Sequence, residues 1–84
     1  MGELSRLPNI GKVVEAQLEE VGIKTTEDLR AIGSKEAWLK IREIDPSACI
    51  HKLYGLEGAI QGIKKSNLRE DTKSDLKEFF RSFK

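Results

Sequence analysis

Eighty-four residues with a net charge of +1 make at most one domain, too small to enclose an enzyme's deep cleft. A single cysteine rules out an intramolecular disulfide, and no apolar run approaches the roughly 18 residues that a membrane span needs. The N-terminus has no apolar signal-peptide core, so the chain is expected in the cytoplasm, with no membrane partner.

In chain order, almost every segment is apolar at helical period, which predicts an all-α fold. Glu3 to Leu7 can form a short turn of helix that Pro8 ends. The stretch LPNIGKVVEAQLEEVGI then places Val14, Leu18 and Val21 on one face, with Val13 beside it. Gly22 follows the helix end, where a positive φ costs it little. Thr25 and Asp28 form a capping box, since the hydroxyl and the carboxylate can each satisfy an orphan N–H. Leu29 and Ile32 point inward from the short helix that follows, and Gly33 ends it. Ser34 is expected to cap a third helix, with Ala37, Trp38, Ile41 and Ile44 as its apolar stripe. In IDPSA, Asp45 reads as an N-cap and Pro46 as the first helical residue. That helix runs to about Gln61, with Cys49, Leu53, Leu56 and Ile60 on its apolar face. A linker of Lys, Ser and Asn leads to a last helix, capped by Asp71 or Thr72, with Leu76, Phe79, Phe80 and Phe83 at i, i+3, i+4 and i+7. The prediction is one domain over residues 1–84, a compact five-helix bundle with a short sixth helix at the N-terminus. Its connections are short, so sequence neighbours should pack together.

The turn before the second segment carries the first functional candidate. Gly11 permits a sharp bend, and the helix after it starts with unpaired N–H groups and a positive dipole end, which suit an anion. Lys12 adds a charge, and Asn9 tolerates the left-handed region. Asn9, Ile10, Gly11 and Lys12 are therefore candidate phosphate contacts. Lys64, Lys65, Arg69 and Lys73 can extend them if they fold onto the same side. A purely structural bend needs the same residues, and Glu15, Glu19 and Glu20 on the next helix would compete for its dipole. Residues 1–33 carry four Lys or Arg against six Asp or Glu, whereas residues 60–84 carry seven against four. Nucleic-acid binders that rely on their field are usually strongly basic. A bend touching about 2–3 phosphates would bind weakly and in a salt-sensitive way.

A second candidate is CIHKLYGLEGAIQG, where Gly55, Gly58, Ala59 and Gly62 fall at helical spacings. Each Gly inside a helix costs about 0.8–1 kcal/mol against Ala. Either a neighbouring helix comes too close for a Cβ, or these residues floor a groove for a partner's helix or a small ligand. Cys49 reads as a buried, inert thiol. His51 stands alone, so neither a metal site nor a nucleophilic triad can be built. No cofactor, metal or catalytic activity is expected. Trp38, Phe79, Phe80 and Phe83 read as core, with one of the adjacent Phe residues at its edge. Arg69, Lys73, Lys77, Arg81 and Lys84 line the other side of the last helix, interrupted by Glu70, Asp71, Asp75 and Glu78.

LPNIGKVVEAQLEEVGIKTTEDLRAIGSKEAWLKI resembles the helix–hairpin–helix class. More closely, GIKTTEDLRAIGSKEAWLKI, LYGLEGAIQG and KSDLKEFF together resemble the C-terminal domain of TfoX/Sxy proteins, over nearly the whole chain. The resemblance implies an all-helical domain like the SAM-type bundles. In longer members it follows a separate α+β domain, and some members regulate natural competence for DNA uptake. Asn9 stands where the DNA-binding hairpin pattern has its first Gly, and Glu15 where a small residue usually lies. The expected function is a non-enzymatic regulatory or adaptor module that binds a protein partner or itself. Weak, sequence-independent DNA binding at Pro8–Lys12 is the alternative.

Overall fold

Helix stops decide where this chain turns. The computed structural model describes residues 3–83. A 3-10 turn at Leu4–Arg6 precedes α1 (Lys12–Glu20), α2 (Thr26–Ile32), α3 (Ser34–Ile44) and α4 (Ile50–Gln61). A second 3-10 turn at Lys65–Asn67 leads into α5 (Glu70–Arg81). Among the described residues there is no strand, so the expected five-helix, all-α fold is the fold observed. The expected N-terminal helix is the 3-10 turn, and the molecule measures 31 × 26 × 20 Å.

Two helices end in the same device. After α1, the Ile23 N–H donates to the Leu18 carbonyl at 2.8 Å and the Gly22 N–H to Glu19 at 3.1 Å, with Gly22 at φ +93°. After α4, the Ile63 N–H donates to Gly58 at 2.9 Å and the Gly62 N–H to Ala59 at 3.2 Å. Both satisfy carbonyls that the helix itself leaves open. At the start of α2, Thr25 Oγ1 accepts from the Asp28 N–H at 3.0 Å, as the capping box predicts. The Asp28 carboxylate reaches back one residue further than expected, to the Lys24 N–H at 3.3 Å.

Three expected starts are corrected. Gly33, not Ser34, occupies the N-cap of α3, and the Ser34 hydroxyl instead donates to Glu57 Oε1 on α4 at 2.6 Å. Asp45 does not start α4. Its Oδ1 accepts from the Ser47 backbone N–H two residues on, which closes a local turn, and the helix begins only at Ile50. Asx turns and N-caps share one chemistry, a short carboxylate accepting from a nearby N–H, so Asp-Pro-Ser fits either. Cys49 is therefore the N-cap of α4, with extended backbone, and its thiol is exposed rather than buried. The last helix starts at Glu70 with Arg69 at its N-cap, so Asp71 and Thr72 lie within its first turn.

The core centres on α3 and α4. Trp38, Leu4, Leu18, Leu29, Ile41, Leu53, Leu56 and Leu76 are fully enclosed. Phe79, Phe80 and Phe83 are half-buried and meet the Trp38 ring edge-on at centroid separations of 6.0, 5.4 and 6.3 Å. All three thus share one indole, and neither of the adjacent Phe residues is excluded. Arg42 secures the end of α5, since its Nη2 donates to the Phe83 carbonyl at 2.7 Å while its guanidinium lies over the Trp38 and Phe83 rings. The Trp38 indole N–H donates to the Cys49 carbonyl at 3.2 Å, which joins α3 to the start of α4. Two apolar residues of the expected stripes face outward, Val13 at 71% exposure and Ile44 at 41%.

Leu53→Ala should lower unfolding free energy by about 2–5 kcal/mol, because an enclosed Leu leaves a cavity. Val13→Ala should stay within about 0.5 kcal/mol. Urea denaturation followed by Trp38 fluorescence measures both, and equal effects would contradict this core.

Candidate functional site

The turn from Leu7 to Gly11 is fixed from inside. Ile10 is buried in the core, so of the four candidate contacts its side chain points inward. Asn9 has φ +70°, the one non-glycine residue with positive φ among those described. Its carboxamide is fully engaged. Nδ2 donates to the Ile63 carbonyl at 3.0 Å and to the Gly55 carbonyl at 3.4 Å, while Oδ1 accepts from the Lys65 N–H at 3.0 Å. Asn9 therefore bolts the turn to α4 and to the second 3-10 turn.

This bolt explains Gly58 of α4. A Cβ on Gly58 would lie 2.5 Å from Asn9 Nδ2 and 2.8 Å from the Ile63 carbonyl oxygen. On Gly55 it would meet Asn9 Cβ at 3.4 Å, a tolerable contact. What approaches so closely is the Asn9 side chain and the backbone that follows α4, not a neighbouring helix. Ala59 belongs to the core, and Gly62 takes the left-handed residue that stops α4.

The outer surface of the turn is open. Gly11 is the N-cap of α1 without a side-chain cap, and Gly11, Lys12 and Val13 are exposed. The first-turn N–H groups of α1 have no intrahelical acceptor. Glu15, expected to face a bound anion, is only 7% exposed and accepts the Ser5 N–H at 3.1 Å. Its carboxylate is spent on the N-terminal 3-10 turn. Glu19 and Glu20 lie in the last turn of α1, about 12 Å along the axis from Gly11.

Cations arrive from elsewhere in the chain. Lys65 reaches the turn because its backbone N–H is held by Asn9, and Lys64 precedes it; both side chains are exposed. Lys65, His51 and Lys52 line a shallow groove with Asn9 and Val14. Lys73 lies further along, in a second groove with Tyr54, Lys77, Ser74 and Glu70. His51 of the first groove and Tyr54 of the second lie edge to face, 6.2 Å apart. Arg69 pairs with Asp71 at 3.4 Å on open surface, and Lys84 lies outside the described residues. Of the supporting basic residues, then, Lys65 is tied to Asn9 through its backbone with Lys64 next to it in the chain, while Lys73 lines the second groove. Sequence reasoning missed His51, Lys52 and Tyr54. The available signal was their spacing within one turn of Gly55.

Lys52 is partly committed. Its ammonium donates to Gln17 Oε1 at 2.7 Å and to Asp45 Oδ2 at 3.2 Å, while Gln17 Nε2 donates to Asp45 Oδ2 at 3.0 Å. These bonds link α1, the α3–α4 loop and α4. The Ser47 hydroxyl, then the Gln17 amide and the Lys52 ammonium, hold the Asp45 carboxyl well below the usual carboxylate range. No group of three or more His, Cys, Asp or Glu among the described residues is placed to hold a metal ion.

Asn9→Gly keeps the backbone conformation but removes the bonds to the Lys65 N–H and the Ile63 carbonyl, which water can reach, so it should cost about 0.5–1.5 kcal/mol. Gly58→Ala should also destabilise, despite the helix propensity it adds, whereas Gly55→Ala should be near neutral. A double-mutant cycle between Asn9→Gly and Gly58→Ala, read by urea denaturation, should be non-additive. Asp45 adds a pH signature. A depressed folded-state value means that its stabilisation is present above the unfolded value of about 3.9 and is lost as pH falls below it. Asp45→Asn should therefore be less stable than wild type at pH 7 and should lose less on acidification to pH 3. Parallel acid profiles would refute the network's role.

Comparison with known proteins agrees with this architecture. Two crystal structures from Listeria monocytogenes, an uncharacterized protein in a triclinic form and a protein of unknown function in a tetragonal form, each match with a TM-score of 0.95 at 52% identity. The matches cover 98% of this chain and 93% and 100% of the Listeria chains. Protein Sxy of Escherichia coli K12 is 40% identical over 76 residues, which is 90% of this chain. The match covers 36% of Sxy, so this chain spans about a third of that relative's length. The model of the TfoX C-terminal domain matches residues 1–80. The chain belongs to the TfoX C-terminal domain family.

Proposed function

We propose that the domain is a non-enzymatic regulatory module that acts by binding, in the competence and transcription setting that its TfoX-type kinship suggests. Its working surface is the corner around Gly11, and its ligand is the phosphate backbone of nucleic acid, held without reading sequence. One observation carries this reading. The Asn9 side chain holds the Lys65 N–H, which ties the Lys64–Lys65 segment to the turn that precedes the uncapped start of α1, and the buried Glu15 carboxylate accepts from the Ser5 N–H. On this reading Lys12 and the Lys64–Lys65 segment outweigh the acids of the N-terminal half at this corner. A protein partner or self-association is the second reading. It is favoured by exposed Ile44 at the end of α3 and by the groove that Leu39, Pro46 and Phe83 line with Arg42 and Glu43.

Fluorescence anisotropy with a labelled 20-base-pair duplex at 50 and 200 mM salt tests the first reading. Affinity should fall with salt at a log–log slope of about −2 to −3, the signature of a few phosphate contacts. Lys12→Glu with Lys65→Glu should weaken binding by about tenfold or more, and Lys40→Glu, in a separate groove beside Val21 and Ile32, should not. No binding at 50 mM salt would leave the protein-contact reading, which sedimentation of wild type against Ile44→Glu addresses.

A further inference from the structure

Two shallow grooves flank the His51–Tyr54 ring pair. His51 lines the first with Asn9 and Lys65, Tyr54 lines the second with Lys73 and Lys77, and the two rings lie 6.2 Å apart. His51 is exposed and Tyr54 half-buried, three residues apart on α4, so both present ring surface to the same side of that helix. Glu57, whose carboxylate binds Ser34 and Gln61, does not line either groove. Glu70 is the one carboxylate in the second groove, and Asp45, beside the first, is occupied by Lys52, Gln17 and Ser47.

We infer that the two grooves act as one path for single-stranded nucleic acid, with phosphates on Lys65, Lys73 and Lys77 and bases against His51 and Tyr54. The inference rests on the nucleic-acid reading above and narrows it to unpaired strands. Lysines that border aromatic rings along a groove are the arrangement that single strands use, because every base offers a π-face and the backbone follows the charges. A duplex keeps its bases stacked inside and cannot use the rings. The charge balance points the same way. A domain of net charge +1 cannot hold a duplex strongly through its field, whereas stacking adds affinity that salt does not screen.

The test compares labelled (dT)20 with a 20-base-pair duplex by anisotropy at 50 mM salt, with melting curves verifying that each variant folds. (dT)20 should bind about tenfold more tightly than the duplex. His51→Ala with Tyr54→Leu should weaken (dT)20 binding by about tenfold and leave duplex binding unchanged. Tyr54→Phe, which keeps ring and packing, should bind as wild type. Equal affinity for both nucleic acids, or a ring variant that binds (dT)20 normally, overturns the inference. Duplex binding that depends on Lys12 but shows no preference for (dT)20 overturns it while the broader reading survives. Failure to bind either nucleic acid removes both.

Discussion

One side-chain amide sets the geometry of the candidate surface. Asn9 ties its own turn to Gly55 and Ile63 around the end of α4 and to Lys65 in the segment beyond. Three backbone groups more than forty residues away in sequence depend on it. Its left-handed conformation aims the amide at α4, and Gly58 leaves the space that the amide fills. Each glycine costs helix propensity, and the hydrogen bonds gained offset it. A domain this small has a limited hydrophobic core, so such polar bolts carry a larger share of its specificity than they would in a bigger fold.

The helices were legible in the sequence because periodicity and stop signals report on local interactions. Leu18, Leu29, Trp38, Ile41, Leu53 and Leu76 fall where their spacing predicts, and Gly22 and Gly62 end their helices as expected. The errors occurred where one chemical signal serves two structures. Asp45 accepts an N–H two residues on, so Asp-Pro-Ser closes a turn, and a helix start read from it runs four residues too early. Cys49 then falls off the apolar face and into solvent. Glu15 was unreadable for another reason. Its partner is a backbone N–H in a 3-10 turn, and no residue pattern records a carboxylate folding back across ten residues.

The glycines of α4 show how far such reading extends. Their cost signals that something must come close, and the close approach exists. Its source could not be read, because contact between residues 9 and 58 depends on how the turn packs over the bundle. The same limit applies to the basic corner. Counting charges by segment assigns acids to the N-terminal half and bases to the C-terminal end, and folding then engages Glu15 with the N-terminal 3-10 turn and ties the Lys65 backbone to Asn9.

That rearrangement bears on affinity as well as location. A surface with few charges loses much of its binding energy if those charges must be ordered when the ligand arrives. Here the Lys65 backbone is already fixed to the turn that presents Gly11 and Lys12, so the two basic segments keep their relation before any ligand binds. Only the lysine side chains remain to be ordered. On the proposed reading, preorganisation of this kind lets a nearly neutral domain bind without a strongly basic sequence, and it makes Asn9 a determinant of binding although its own amide bonds α4 and the segment beyond rather than the ligand.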